Sequence, residues 1–252
     1  MPKAVLTTNK LSKTFSSAGL QQHVLKNLDL QIYEGDFTVI MGSSGAGKST
    51  LLYALSGMDK PTLGEIYFEA QEISKLSNDK LAVFRRKNCG FIFQQIYLLD
   101  TMSLLDNAIA SGLLISKNKK EIAARAKELF AAVGLTETIW RKFPSQLSGG
   151  EAQRAGIVRA LINDPRILFA DEPTGALNSA SGAAVLNVLT EVNQKGQSII
   201  MVTHDIKSAL RGNRIIYLKD GTVCGECDLG SYRQEDVKRN ELLLSFLNEM
   251  GW

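Results

Sequence analysis

The sequence contains no run of about eighteen apolar residues, so no segment is expected to cross a bilayer as a helix. Cysteine is scarce. Cys89, Cys224 and Cys227 are the only three in 252 residues, too few for a disulfide framework in a chain of this length. Charge of one sign is missing too. The 29 Lys and Arg against 26 Asp and Glu leave a formal +3. No basic block is present to make several phosphate contacts, so no nucleic-acid partner is expected. Glycine and proline, at 21 and 5 residues, stay at globular levels, which excludes low-complexity sequence. There is no internal repeat. The opening MPKAVLTTNKLSKTF has neither a long apolar core nor a small-residue cleavage site, so no secretory signal is expected. The expectation is a cytosolic protein, or one held on a membrane by a partner.

What is present is an alternation of short apolar runs with helix-like stretches, the α/β pattern. Runs rich in β-branched or aromatic residues at 37–41, 90–93, 167–170, 198–203 and 214–218 predict strands. Helical spacing is predicted over 51–56, 120–133, 183–193 and 241–250. Between Asp100 and Asp164 helix patterns dominate, which suggests a helical lobe inserted into an α/β core. The boundaries read as a core over 1–95 and 165–228, a lobe over 96–164 and a C-terminal extension over 229–252. The extension carries Leu242, Leu243, Leu244, Phe246, Leu247, Met250 and Trp252 and reads as an amphipathic helix, chiefly core-facing.

The sharpest motif is Gly42-Ser43-Ser44-Gly45-Ala46-Gly47-Lys48-Ser49-Thr50, which fits G-x-x-x-x-G-K-[ST]. It lies between the apolar run FTVIM and the helix-like LLYALS, as the motif requires. Glycines let several backbone N–H groups converge on one concavity, which holds anionic oxygens. The helix that follows adds its positive N-terminal end. Lys48 supplies a mobile charge for β- and γ-phosphates, and the Ser49 hydroxyl suits Mg²⁺. A nucleoside triphosphate is the expected ligand. A second motif, Arg166-Ile-Leu-Phe-Ala-Asp171-Glu172, is an apolar run ending in two carboxylates. Asp171 suits Mg²⁺, and Glu172 suits orienting or activating a water.

Three further stretches follow a fixed order with these: Gln94 after GFIF, Leu147-Ser148-Gly149-Gly150-Glu151 opening a helix-like segment, and His204 after SIIMV. The ordered set resembles the ATP-binding subunit of ATP-binding-cassette (ABC) transporters over about residues 5–223. The resemblance implies a P-loop NTPase core, in which a mixed sheet with flanking helices and an N-terminal antiparallel β region carries an inserted α-helical lobe. It implies ATP hydrolysis with Mg²⁺ and a head-to-tail dimer of two copies sandwiching two ATP molecules. On that pattern Ser148, Gly149, Gly150 and Glu151 form the loop that meets the γ-phosphate bound by the other copy. Glu172 is the general base, His204 holds the γ-phosphate and water, and Gln94 senses Mg²⁺. Phe15 matches the position of the aromatic ring that stacks on adenine. Glu151 stands where Gln is commoner. Asn178 stands where the family usually has Asp, in a loop that couples the two sites.

GFIFQQIYLLDTMSLLDN and FADEPTGALN resemble the branch of macrolide exporters, lipoprotein-release and cell-division ATPases and bacitracin-type peptide-resistance modules, with LLDT leaning to the last. That implies a separate membrane permease and a peripheral place on the cytoplasmic face of the membrane. Segment 95–102, from Gln95 to Met102, is the expected docking site, because Ile96, Tyr97, Leu98 and Leu99 put four apolar or aromatic residues in a row. Efflux of, or resistance to, antimicrobial peptides, drugs or lipid-related molecules is the expected role. Two alternatives remain open: a permease-free ATPase of the iron–sulfur assembly type, and a regulatory ATP sensor, whose only support is Asn178. Cys224-Gly-Glu-Cys227 has metal-like spacing, but a zinc site needs about four ligands and no second pair exists, so a turn between strands is expected and zinc is not. His23 reads as a loop residue, Lys117–Lys120 with Asn118 as a solvated helix start, and Trp140 and Phe143 as packing residues.

Overall fold

The computed structural model describes residues 3–17, 19–234 and 236–252. In chain order the strands are β1 (Ala4–Ser17), β2 (Leu20–Leu28), β3 (Gln31–Tyr33), β4 (Phe37–Met41), β5 (Leu63–Phe68), β6 (Gln71–Glu72), β7 (Cys89–Phe93), β8 (Ile167–Asp171), β9 (Ser198–Val202), β10 (Arg214–Lys219) and β11 (Thr222–Asp228). The helices are α1 (Lys48–Leu55), α2 (Asn78–Asn88), α3 (Leu104–Gly112), α4 (Lys119–Ala132), α5 (Glu137–Trp140), α6 (Gly149–Leu161), α7 (Ser179–Gln194), α8 (Ile206–Ala209) and α9 (Val237–Met250). The chain forms two compact units, one of Met1–Ala82 with Asn193–Trp252 and one of Val83–Val192.

The first unit holds two sheets. In one, β1 pairs antiparallel with β2, β3 and β5, and β5 with β6. In the other, the order is β11-β10-β4-β9. There β10, β4 and β9 are parallel, and β11 closes an antiparallel hairpin on β10. All five residues of β4, FTVIM, and all five of β9, SIIMV, are buried. An unbroken apolar run is what a parallel strand covered on both faces requires, whereas alternation would leave one face wet. Helix α1 buries Leu51, Leu52, Ala54 and Leu55, and each fully buried leucine contributes about 1.5–3 kcal/mol of transfer free energy.

Helix α9 completes this unit. Leu243, Phe246 and Leu247 are buried, while Leu242, Leu244 and Trp252 are exposed. Gly251 ends the helix in the left-handed region, and the Trp252 N–H returns to the Leu247 carbonyl at 3.0 Å, the bond pattern of a glycine-terminated helix. The Trp252 ring then meets Tyr217 edge-on, 6.1 Å between centroids.

Two sequence expectations are corrected here. Cys224 and Cys227 lie within β11 and not in a turn, because the hairpin turns earlier, at Asp220 and Gly221. Gly225 between them makes room for α9. A Cβ there would stand 2.8 Å from Met250 Sδ and 3.1 Å from Phe246 Cε2. Burial pushes the Cys227 thiol up, and no metal-binding group of His, Cys, Asp and Glu occurs among the described residues. His23 lies in β2, where its Nδ1 shares a hydrogen bond of 2.8 Å with the Thr14 hydroxyl across the β1–β2 ladder.

The second unit contains the parallel pair β7 and β8, in register from Cys89 opposite Ile167 to Phe93 opposite Asp171. Phe91 stacks on Phe169 across it, 5.6 Å between centroids. The helices α3, α4, α5 and α6 fall between Leu104 and Leu161, as the helical patterning predicts. Asn118 caps α4 by accepting from the Glu121 N–H, as expected of a solvated start. Trp140 packs on Phe130, 5.8 Å between centroids, but Phe143 is 44% exposed and so is not the packing residue the sequence suggested. It lies three residues beyond the short α5, and the chain then turns through Pro144–Gln146 without burying the ring.

Candidate functional site

The first unit carries the glycine loop and His204. The loop leaves the C-terminal end of β4 at Gly42, whose φ of 155° is needed because a Cβ would stand 2.1 Å from the Leu218 carbonyl oxygen. Ser43, Ser44 and Gly45 are exposed, Ala46 is buried, and Gly47 through Thr50 are half-buried. Gly47, at φ 100°, is the N-cap of α1, yet no side chain caps that helix and no acid lies in its first turn. Its first N–H groups carry the partial positive charge of the helix end. The Lys48 ammonium folds back over the loop, donating to the Gly42 carbonyl at 2.7 Å and the Ser43 carbonyl at 2.9 Å. A glycine cradle, an uncapped helix start and a lysine above them fit a polyphosphate.

Beside β4, β9 ends with Ile40 paired to Val202, and the Thr203 N–H donates to the Ile40 carbonyl at 3.2 Å. The loop at Gly42 and the exposed His204 therefore leave the same ends of adjacent parallel strands. The Thr203 hydroxyl accepts from the Asp205 N–H at 3.0 Å, and Asp205 caps α8 through Ser208 at 2.8 Å. His204 thus sits between two fixed residues. Phe15 is on β1, 44% exposed, with the Lys13 ammonium 4.9 Å from its ring centroid. Lys13 is itself held by Asp59 at 2.6 Å and the Lys60 carbonyl at 2.7 Å.

The second unit carries the carboxylates, Gln94 and the LSGGE loop. Asp171 is the last residue of β8, opposite Phe93, so Gln94 and Glu172 follow the ends of two paired strands. Glu172 has a φ of 45°. Such a conformation costs of the order of 1–3 kcal/mol for a non-glycine residue and concentrates at functional sites. Its carbonyl accepts from the Gly175 N–H at 3.0 Å. Gly175 also leaves room for the Gln94 amide, since a Cβ there would stand 2.9 Å from Gln94 Nε2. The oxygens of Asp171, Gln94 and Ser49 are hard donors of the kind Mg²⁺ takes.

Helix α6 opens differently from α1. Ser148 Oγ accepts from the Glu151 N–H at 3.3 Å, and Glu151 Oε2 accepts from both the Ser148 N–H and hydroxyl, each at 2.8 Å. This is a complete capping box. The hydrogen bond from the Ser148 N–H, then that from its hydroxyl, holds the Glu151 carboxyl below the usual carboxylate range. Gly149 and Gly150 lie against the residues just before α7 and in its first turn. Their missing Cβ atoms would stand 3.1 Å from Leu177 Cδ2 and 2.9 Å from Ser181. Asn178 caps α7, its Oδ1 accepting from the Ser181 N–H at 2.9 Å.

Sequence reasoning missed the polar side chains that hold this unit's loops. Asn107, buried in α3, accepts from the Leu99 N–H and donates to the carbonyls of Leu99, Met102 and Ser103. Gln153 and Arg159 of α6 donate to carbonyls of residues 93, 96 and 97. No spacing rule marks them, because their partners are main-chain atoms, 60 to 63 residues away for Gln153 and Arg159 and in the preceding loop for Asn107. An asparagine or arginine on a helical pattern reads only as a solvated position.

Comparison with known proteins agrees with these features. The family model described as ABC transporter matches residues 25–175. The macrolide export ATP-binding/permease protein MacB of Wolinella succinogenes is 42% identical over 239 residues, which are 95% of this chain but only 36% of that longer protein. The lipoprotein-releasing system ATP-binding protein LolD of Aquifex aeolicus is 43% identical over 203 residues, 81% of this chain and 90% of that one. Among solved structures, the dimeric post-hydrolysis state of the ATP-binding cassette MJ0796 bound to ADP and Pi matches with a TM-score of 0.83 at 39% identity, covering 90% of this chain and all of that one. The chain belongs to the ABC transporter family, as an ATP-binding, ATP-hydrolysing cassette.

Proposed function

We propose that two copies of this chain close around two ATP molecules and drive a separate membrane permease. The observation that carries the nucleotide half is the start of α1, uncapped and free of acid beneath a lysine. Lys48 releases the Gly42 and Ser43 carbonyls for the β- and γ-phosphates, and the N–H groups of 43–50 bind their oxygens. Phe15 offers its ring to the adenine. Ser148, Gly149 and Gly150 of one copy meet the γ-phosphate held by the other, with Glu151 released from its capping contacts. Glu172 takes the proton of the attacking water, and His204 keeps water and γ-phosphate in line. Ser49, Asp171 and Gln94 would hold Mg²⁺, which when bound would neutralise charge developing on the phosphate oxygens.

The permease half rests on the surface around segment 95–102. Tyr97 is 65% and Leu99 53% exposed, although Asn107 and Arg159 fix the backbone beneath them. Exposed apolar side chains on a fixed backbone suit a partner's helix. Relatives named for macrolide export and lipoprotein release support export or resistance as the role, at the cytoplasmic face of the membrane. The test is a tagged pull-down from native-host membranes in mild detergent, read by mass spectrometry. Recovery of a permease, lost when Tyr97 and Leu99 are replaced by Ser, is expected. A soluble partner set without any membrane protein would instead assign the chain to the assembly-factor class.

A further inference from the structure

The turn that presents Tyr97 and Leu99 is strained and is held from one helix. Tyr97 has a φ of 51°, a left-handed conformation that large L side chains rarely adopt. The two carbonyls on either side of that residue's Cα share one holder: Arg159 donates through Nη2 to the Ile96 carbonyl at 2.8 Å and through Nη1 to the Tyr97 carbonyl. Burial depresses the pKa of the Arg159 guanidinium, so the group is partly desolvated where it makes these bonds. Three residues toward the N-terminus of the same helix, Gly156 lies under the turn; a Cβ there would stand 3.2 Å from Ile96 Cγ2. Three residues further, Gln153, 2% exposed, donates to the Phe93 carbonyl at 3.0 Å, immediately before Gln94. Helix α6 therefore holds main-chain or side-chain atoms of residues 93, 96 and 97 from positions 153, 156 and 159, and its first turn is the LSGGE loop.

From this we infer that Arg159 is a positioning residue that keeps the turn at Tyr97 in its left-handed form and locks α6 to it, so that the state of the turn sets how Ser148 is presented. A residue in a sparsely populated conformation persists only while its surroundings over-determine it. Here the planar fork of an arginine spans two successive carbonyls, which a lysine's single ammonium cannot do in the same geometry. When the fork lets go, the turn relaxes toward negative φ, and the atoms that anchor α6 move with it. The turn and α6 then form one two-state element with the exposed side chains of Tyr97 and Leu99 at one end and the γ-phosphate loop at the other. The inference rests on the proposed function only in naming what meets each end.

Hydrogen–deuterium exchange of the full chain without nucleotide or partner tests the core of it. Arg159→Gln is expected to speed exchange at 95–99 and across 148–156, leaving 42–55 unchanged. Arg159→Lys should fall between the two. Adding Tyr97→Gly, which removes the strain at φ 51°, should restore slow exchange in both segments. Acceleration confined to 95–99, or no recovery with glycine, overturns the inference. Function gives the second reading, in a Glu172→Gln background. Arg159→Gln should weaken ATP-driven dimerisation in sedimentation by about tenfold, while nucleotide affinity of the monomer stays within about twofold, since two of the anchoring hydrogen bonds are lost. Dimerisation equal to the parent's would overturn the link to Ser148. If the Glu172→Gln parent itself fails to dimerise, the proposed dimer is wrong, and the exchange experiment still decides the role of Arg159.

Discussion

Two helix starts in this chain are built from similar glycine-rich sequence and end in opposite states. Helix α1 begins at Gly47 with no side-chain cap and no acid in its first turn, and the Lys48 ammonium folds back over the loop before it. Helix α6 begins at Ser148 with both capping contacts made by Glu151. The orphan N–H groups are the same in each. What differs is whether the sequence supplies an internal anion. At α1 the positive end is left for a ligand. At α6 the Glu151 carboxylate already lies on the Ser148 N–H and hydroxyl, so on the proposed function an incoming phosphate would have to exchange with it. On the proposed function, the first start would receive nucleotide without displacing a side-chain cap, and the second would open as nucleotide arrives.

The largest expected effect comes from bringing both starts onto one nucleotide and stopping there. Glu172→Gln keeps the shape of the side chain and removes its ability to accept a proton. ATP turnover should fall by about 10²–10⁴, the usual range for a general base, and ATP should hold a stable dimer in size-exclusion chromatography. Wild-type turnover would remove Glu172 from the base role. Next comes the open start. Lys48→Ala removes the charge above the α1 N-terminus, and ATP affinity by fluorescent-nucleotide titration should drop about 10²-fold, as for loss of one or two charged hydrogen bonds. An unchanged affinity would mean that the uncapped helix end alone binds the phosphates.

The closed start gives a smaller and more specific effect. Glu151→Gln preserves the hydrogen-bonding outline of the box but removes the anion that a γ-phosphate must displace. The ATP-dependent dimer should tighten by about two- to fivefold, most at low salt, where surface charge is least screened. Glu151→Ala loses the box altogether and should destabilise the fold by about 1 kcal/mol, as cap removal does. The acid dependence has a definite sign. Because Ser148 holds the folded-state carboxyl below its usual range, its contribution to stability is fully present above the unfolded-state pKa, near 4.5. That contribution is lost as pH falls through the folded value. A denaturation midpoint followed from pH 7 to pH 3 should therefore separate Glu151→Gln from the parent at neutral pH and bring the two together at the acid end.

How much of this was legible in the sequence depends on whether a residue's partner is local. FTVIM and SIIMV announce buried parallel strands because burial on both faces leaves no polar position. Gly42–Thr50 announces its loop because the glycines, lysine and hydroxyls act within nine residues. Asn118 announces its cap because the bond it accepts is three residues away. Arg159 could not be found this way: its partners are 62 and 63 residues distant. The strand at Cys224–Cys227 was hidden for the same reason, since Gly225 faces Met250 and Phe246 on α9, and nothing in CGEC says that a helix lies above. The positive φ of Glu172 and Tyr97 is equally silent in sequence, because both residues ordinarily prefer negative φ and are held otherwise by contacts that form only on folding.

The smallest expected effect concerns a third helix start, which lies between the extremes. Asn178 caps α7 through its neutral amide oxygen, and the first turn of α7 contains no acid. Asn178→Asp would keep the bond from the Ser181 N–H and add a charge at the positive end of the helix, a gain of about 0.3–1 kcal/mol. For a chain of this size that corresponds to a rise in Tm of roughly 1–4 °C. Gly150, at the start of α6, lies directly against Ser181, so the new carboxylate would sit near the positive ends of two helices at once. It would favour the isolated chain through both, and at α6 it would stand beside the γ-phosphate expected there. A Tm raised in calorimetry with turnover within about twofold would show that α7 tolerates an internal anion without cost to the closed start. A Tm that does not move would mean that the amide already satisfies α7 as fully as a carboxylate can, and that the contrast between open and capped starts is set by hydrogen bonds rather than by charge.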